Sequence, residues 1–268
     1  MNGITSVTPT ICRLMQVPEP AVSAEDGLAA VLQAAEALPG ALPIARCLVF
    51  APDAIGLGFY RRHRSLFEPV RRQAPVAVPL RSVVPPKTPV CYASMFTGAL
   101  PEVHGIRRYE KPVLTCDTLF DSLVRAGKRV AIVAVAGCSI DLIFRQRAVD
   151  YFSEPYDQQV IERTLALLEA GEHDFIVAYN QGYDDAVHET TPESPEALLA
   201  VRNVIGNFAA LAAAFDAHWR SHNRLIAFTP DHGGHVDPAT GKGTHGEDIP
   251  EDMRVQHFYG LRTGYARA

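Results

Sequence analysis

The sequence predicts an α/β fold with a mostly parallel central sheet and helices on both faces, and three observations predict it. Short apolar runs at 46–50, 130–135, 175–179 and 225–228 have the length and even hydrophobicity of strands buried on both faces. Segments with helical spacing separate them, and alternation of strands with helices implies parallel pairing through crossovers. Three of the runs end in acids: Asp53, the Asp184/Asp185 pair and Asp231. Open α/β sheets bind ligands beyond the carboxyl ends of their strands, so acids at those ends are candidates for chemistry.

Taken in order, Thr8 caps a first helix, Pro9 suits its first turn, and Ile11, Leu14 and Met15 share a face before Pro18 and Pro20 end it. A second helix is expected over 25–38, with Leu28, Val31, Leu32 and Ala35 on one face and the Pro-Gly segment 39–43 as its stop. The strand at 46–50 leads into Asp53. A basic helix is expected over 61–72, a strand over 76–80, and a loop at Pro85-Pro86. Helices follow at 115–126, stopped by Gly127, at 156–170, and at 194–218 behind the cap Ser194-Pro195-Glu196. Segment 141–152 is expected to form an extra pair of strands.

With 268 residues, 47% of them hydrophobic, the chain is long enough for one domain with a sizeable core. A net charge of -5 gives no basic footprint for a nucleic acid polymer. No apolar run approaches the roughly 18 residues of a membrane span, and residues 1–18 lack the pattern of a signal peptide. The five cysteines are dispersed without a CxxC pair, which fits a reduced compartment, so the expected location is cytoplasmic.

The densest chemistry is Phe228-Thr229-Pro230-Asp231-His232-Gly233-Gly234-His235, followed by Thr244-His245-Gly246. Asp and His together suit first-row metals. Asp184 and His188 stand four apart, which on a helix puts both on one face and suits chelation of one ion. With Asp53, Asp231, His232 and His245 there are enough oxygen and nitrogen ligands for two divalent ions, of the zinc or manganese kind. Taken singly, each has a plain alternative: a strand-end Asp can cap a helix, and a lone His can sit at the surface.

The segment Lys87-Thr88-Pro89 through Thr97-Gly98 to Pro101-Glu102-Val103-His104-Gly105-Ile106 carries a resemblance. It is similar to the nucleophile segment of the type I phosphodiesterase and nucleotide pyrophosphatase branch of the alkaline phosphatase superfamily. Asp53, the Asp184/His188 pair, Asp231-His232-Gly233 and His245-Gly246 follow that branch's motif order over about 45–260. The resemblance implies an alkaline phosphatase-like fold, a small-molecule phosphoester substrate, and two metal ions, usually zinc. One ion would be held by Asp184, His188 and His245, the other by Asp53, Asp231 and His232. Thr88 would be the nucleophile and would reach toward the second ion. Ser94 is the less favoured nucleophile.

Departures from the branch pattern add further expectations. Cys91, three after Thr88, stands where the resemblance places a phosphate-contacting residue, so it and His235 are candidates to touch substrate. Asp185 could replace Asp184 if the local turn differs. Lys87, Arg107 and Arg108 are near enough in sequence to help bind phosphate. The cysteine or serine sulfatase pattern is missing around Thr88. The stretch 4–20, with Thr8-Pro9-Thr10-Ile11, resembles a helix that the family carries after its late His. A circularly permuted single domain is therefore expected, residues 1–40 taking the place of the family's C-terminal region and the first helix packing beside the last strand. The interval from Gly105 to Asp184 leaves little room for a cap domain.

The expected function is hydrolysis of a phosphodiester or related phosphoryl substrate through a phosphothreonine on Thr88. The alternatives are a phosphomutase or phosphonate hydrolase of the same superfamily, or an idle relative that binds metal or a phosphorylated ligand.

Overall fold

The fold, taken from a computed structural model that describes residues 1–265, is ordered by one seven-stranded sheet. A 3-10 turn at Ile4–Ser6 leads into α1 (Val7–Met15), followed by α2 (Ala29–Glu36), β1 (Arg46–Pro52), α3 (Leu57–Arg62), α4 (Glu68–Gln73) and β2 (Val76–Arg81). Next come α5 (Thr88–Thr97), α6 (Pro101–His104), α7 (Leu119–Arg125), β3 (Val130–Val135), α8 (Ser139–Ile143), β4 (Asp150–Glu154) and α9 (Asp157–Ala170). The chain continues through β5 (Phe175–Asn180), α10 (Gly182–Glu189), α11 (Pro195–His218), β6 (Arg224–Phe228) and the short hairpin of β7 (His235–Val236) and β8 (Gly243–Thr244). It closes with α12 (Pro250–Met253) and β9 (Arg254–Arg262).

The sheet order is β2-β9-β6-β1-β5-β3-β4, with β9 antiparallel to both of its neighbours and the other pairings parallel. Strands β3, β5 and β6 are buried along their whole length, as the unbroken apolar runs require, while the edge strand β2 alternates. Two aromatic clusters mark the two faces. Phe50 and Phe228 meet Phe208 of α11 on one side; Phe175 and Tyr179 meet Phe120 of α7 and Tyr92 of α5 on the other.

Several local expectations are corrected. The expected basic helix over 61–72 is two helices, because the turn between them sends Phe67 into the core and Pro69 restarts the helix. The helix expected over 25–38 begins at Ala29. The one expected over 115–126 begins at Leu119, where Thr118 and Asp121 form a capping box. Segment 141–152 supplies one strand rather than two: Asp141 accepts from the Gly137 N–H and from the Arg145 guanidinium, which fastens the turn of α8 instead. By length and composition α11 is apolar enough to cross a membrane, contrary to the expectation from the sequence; here it packs against α9, α10, β1 and β6.

The first helix is also placed differently. α1 packs on α5, α7 and α2, and Thr8 donates its hydroxyl to Met95 O at 2.7 Å; α2, not α1, lies against β2 and β9. Every α1 residue except Arg13 is buried, so the helix needs neighbours on all sides and could not rest on one sheet edge.

Candidate metal centre

β1 lies between β6 and β5 at the middle of the sheet, so the acids after these three strands emerge side by side. Asp53 and Asp231 are fully buried there. The Ala54 N–H donates to Asp231 Oδ1 at 3.3 Å, and the Tyr179 hydroxyl donates to Asp53 Oδ2. The next residue, His232, brings Nε2 to 3.3 Å from both Asp53 Oδ1 and Asp231 Oδ2. This is one candidate ligand group.

The other group forms on α10 and the loop after β8. Asp184 Oδ2 is 3.5 Å from His188 Nε2, the one-turn spacing expected of a helical pair, and Asp184 Oδ1 is 3.7 Å from His245 Nε2. Gly243 makes this meeting possible. A Cβ there would lie 2.2 Å from Val187 O, so a bare backbone lets the hairpin close on α10, where the Gly243 N–H also bonds Thr190 O. Within each set, Asp53/Asp231/His232 and Asp184/His188/His245, one donor atom per residue lies within 4.8 Å of the others.

Two observations test whether divalent ions fit. His232 Nδ1 donates to Gly233 O at 2.9 Å and His245 Nδ1 donates to Pro86 O at 2.8 Å. A carbonyl oxygen can only accept, so each Nδ1 carries the proton and each Nε2 turns a lone pair toward the carboxylates. In addition, Asp53 Oδ1, Asp231 Oδ2 and Asp184 Oδ1 are buried without a hydrogen-bond partner. Orphaned carboxylate oxygens are costly in a core, and a cation is the natural partner for them. Each donor set fits a divalent cation.

The electrostatics follow from the same crowding. Burial pushes the Asp53 and Asp231 carboxyls well above the usual range, the nearby Asp184 and Asp53 charges respectively adding to it. Asp184 is pushed up to about 8, by burial first and then by Asp231. Burial pulls His245 down to about 3, and pulls His232 well below its usual value with His245 adding to the effect. Positive charge at the ligand positions would reverse the logic for the acids.

Thr88 is the first residue of α5, 5% exposed, with Oγ1 3.4 Å from His232 Nε2. The positive end of the α5 dipole therefore points where the hydroxyl sits. Thr88, Asp53, Asp184, His188 and His245 all line one cavity of about 480 Å³. Lys87 lines it too, its ammonium donating to His245 O, and so does Asp185 from α10, which accepts from the Gln181 amide at 3.2 Å.

Other candidates are not brought to this cavity. Cys91 is wholly buried behind Thr88, its sulfur 3.1 Å from the Ser82 hydroxyl; the helix turn carries a residue three after Thr88 inward, which corrects its expected substrate contact. His235 turns away to Asp252 at 2.7 Å, and Asp252 in turn accepts from the Gly246 and Glu247 N–H groups, so this pair braces the His245 loop instead of meeting substrate. Ser94 is buried against His104 Nε2 at 2.9 Å, which removes it as a nucleophile. Arg107 donates to Glu102 O and Arg108 to Glu110, both in solvent. Sequence reasoning missed Tyr179 and Asp252. The one reads as the last residue of a strand and the other as a surface acid, and neither has a local signal.

A family model for type I phosphodiesterase / nucleotide pyrophosphatase matches residues 72–253. No curated protein sequence matches the chain significantly. Among solved structures, phosphonoacetate hydrolase from Sinorhizobium meliloti 1021, in complex with phosphonoformate, superposes with a TM-score of 0.53 at 18% identity. The alignment covers 71% of this chain and 56% of that one. Murine ectonucleotide pyrophosphatase / phosphodiesterase 5, in complex with AMP, gives 0.56 at 17% identity over 72% of this chain and 58% of that one. The chain thus spans a little over half the length of these structures, and at such identities the likeness is one of fold. The family match runs over about two thirds of the sequence and takes in the nucleophile segment with three of the motifs that follow it: the chain belongs to the type I phosphodiesterase / nucleotide pyrophosphatase family.

Proposed function

We propose that the chain is a two-ion phosphoesterase that hydrolyses a phosphodiester or related phosphoryl substrate through a phosphothreonine on Thr88. The observation that carries this reading is the position of Thr88 at the head of α5, against His232 and in one cavity with the Asp184 group. Divalent ions bound by the two groups would supply Lewis acidity, which lowers the pKa of a hydroxyl and takes up charge on phosphoryl oxygens. The protein does the rest. Asp53, Asp231 and His232 would hold one ion close to Thr88, and Asp184, His188 and His245 the other. The Thr88 oxygen forms a bond to phosphorus as the bond to the leaving oxygen breaks, and its proton leaves to solvent. Water then displaces the threonine oxygen, which takes a proton back.

Cys91 faces away from the cavity, so its departure from the expected pattern is no argument for an idle relative. Hydrolysis of a phosphonate uses the same ligand groups and stays as the second reading, favoured by the added cations of the cavity wall described below. A cytoplasmic location is carried as a proposal on the five free cysteines, and cell fractionation checks it.

The test is metal content together with hydrolysis of bis(p-nitrophenyl) phosphate. Two ions per chain and turnover that falls at least about a thousandfold in Thr88→Ala, with metal retained, is the expected result. A protein that holds no ion and turns over no phosphoester sinks the reading.

A further inference from the structure

With Cys91 turned inward, the donors that face substrate come from elsewhere, and the outer wall of the cavity supplies them. That wall is the irregular stretch 105–117 between α6 and α7. It is tied down at its far end: the Leu114 N–H donates to Ile143 O at 2.8 Å, and Arg147 donates to Leu114 O at 2.9 Å and Cys116 O at 3.0 Å. Tyr109 and Lys111 of this stretch line the same cavity as Thr88, Asp184 and His188. Lys111 Nζ donates to Gly137 O at 2.9 Å and sits 5.6 Å from the centre of the Tyr109 ring. An ammonium has three N–H donors, so two remain for a ligand, and the ring face favours a cation held over it. Lys87 places a second ammonium in the same cavity, beside the ion ligands. The carboxylate that lines the cavity outside the two ligand groups is Asp185, on the α10 side and engaged with Gln181.

We propose that Lys111, positioned by Gly137 O and the Tyr109 ring, is a specificity-determining residue that selects substrates carrying a second anionic group, a carboxylate or a further phosphate, beyond the phosphoryl centre. This rests on the phosphoryl reading above and deepens it. A neutral substituent gives the two remaining N–H donors nothing stronger than the water it replaces, whereas an anion forms charge-assisted bonds of the stronger kind.

The experiment measures binding, so that it does not depend on turnover. Zinc-loaded Thr88→Ala protein is titrated calorimetrically with methylphosphonate, phosphonoacetate and methylenebisphosphonate, and the titrations are repeated with Lys111→Gln and Lys111→Arg added. At least one of the two doubly anionic probes is expected to bind about tenfold or more tighter than methylphosphonate. Which of them does so separates the carboxylate from the phosphate. Lys111→Gln should reduce that preference below about threefold, and Lys111→Arg should retain most of it. A preference that persists unchanged in Lys111→Gln, as chelation of the ion alone would give, overturns the inference, and so does equal binding of all three probes. Failure of methylphosphonate itself to bind removes the phosphoryl reading, and this inference with it.

Discussion

The His232 and His245 rings stack face to face, centroids 3.9 Å apart and planes 20° from parallel, although they belong to different ligand groups. Each is pinned by its Nδ1 to a backbone carbonyl, so the stack fixes the two groups against each other without merging their donor atoms. Asp53 of one group and all three residues of the other line one cavity with Thr88.

If the groups are separate sites, removing one ligand should remove one ion. Asp231→Ala and Asp184→Ala are each expected to hold about one zinc per chain, against the two expected of the unaltered protein. Elemental analysis after gel filtration reads this directly. Loss of both ions from each variant would mean a single cooperative site.

The carboxyl shifts set a pH dependence. Asp184 has an ordinary value of 3.8 and is pushed up to about 8 in the fold. Between those values the folded, metal-free protein binds more protons than the unfolded chain, so this group's contribution to stability falls as pH rises from 4 to 8. His245, pulled down to about 3, works the other way: its contribution is present above 6.5 and is lost as pH falls toward 3. Zinc must displace the Asp184 proton, so apparent affinity should rise with pH up to about 8 and binding at pH 7 should release protons. Calorimetry in buffers of different ionisation enthalpy measures the release. No release, with flat affinity from pH 6 to 8, would contradict the assignment.

The close approach at Gly243 is testable by one methyl group. Gly243→Ala would put a Cβ 2.2 Å from Val187 O, backbone against backbone, which neither side can relieve by a rotamer change. We expect a loss of about 2–4 kcal/mol in stability and weaker zinc binding at the Asp184 group, since His245 rides on the displaced strand. Thermal melts with and without zinc check both. Unchanged melting and unchanged zinc content would show that the hairpin does not need the contact.

The circular permutation expected from the sequence is proposed here with α1 seated on α5, α7 and α2 and not beside β9, and it predicts that α1 can be moved to the other end of the chain. Gly3 bridges Arg81, which pairs with Arg254 at the start of β9, whereas the Gly264 N–H bonds Asn223 past the far end of that strand. A linker must therefore run the length of nine strand residues, on the order of 30 Å. A chain of residues 21–265, then about twelve flexible residues, then 1–20 should fold and retain both ions. Failure to fold with linkers of several lengths would count against the idea.

Much of this protein was legible in one dimension. The apolar runs at 130–135 and 225–228 name central strands because a strand covered on both faces has no polar position to spare. Asp-His-Gly after one such strand, and Asp and His four apart after another, name candidate ligands because strand ends and helix turns set where side chains point. The break at 63–67, the single strand in 141–152 and the depth of α1 were not legible, since each depends on which distant surface is free to bury a residue such as Phe67.

The sequence by itself determined the candidates for the site: three carboxylates, three imidazoles and a threonine, each at or near the end of its element. Only the tertiary structure decided their grouping. The order β6-β1-β5 puts Asp231 beside Asp53 and carries the Asp184 helix to the same edge, and a glycine at 243 lets His245 join α10. It also turned Cys91 inward and His235 toward Asp252, and it brought Tyr109 and Lys111 to the cavity wall. The physical reason is that direction along an element is local, whereas the face a neighbour leaves open is set by the packing of the whole chain.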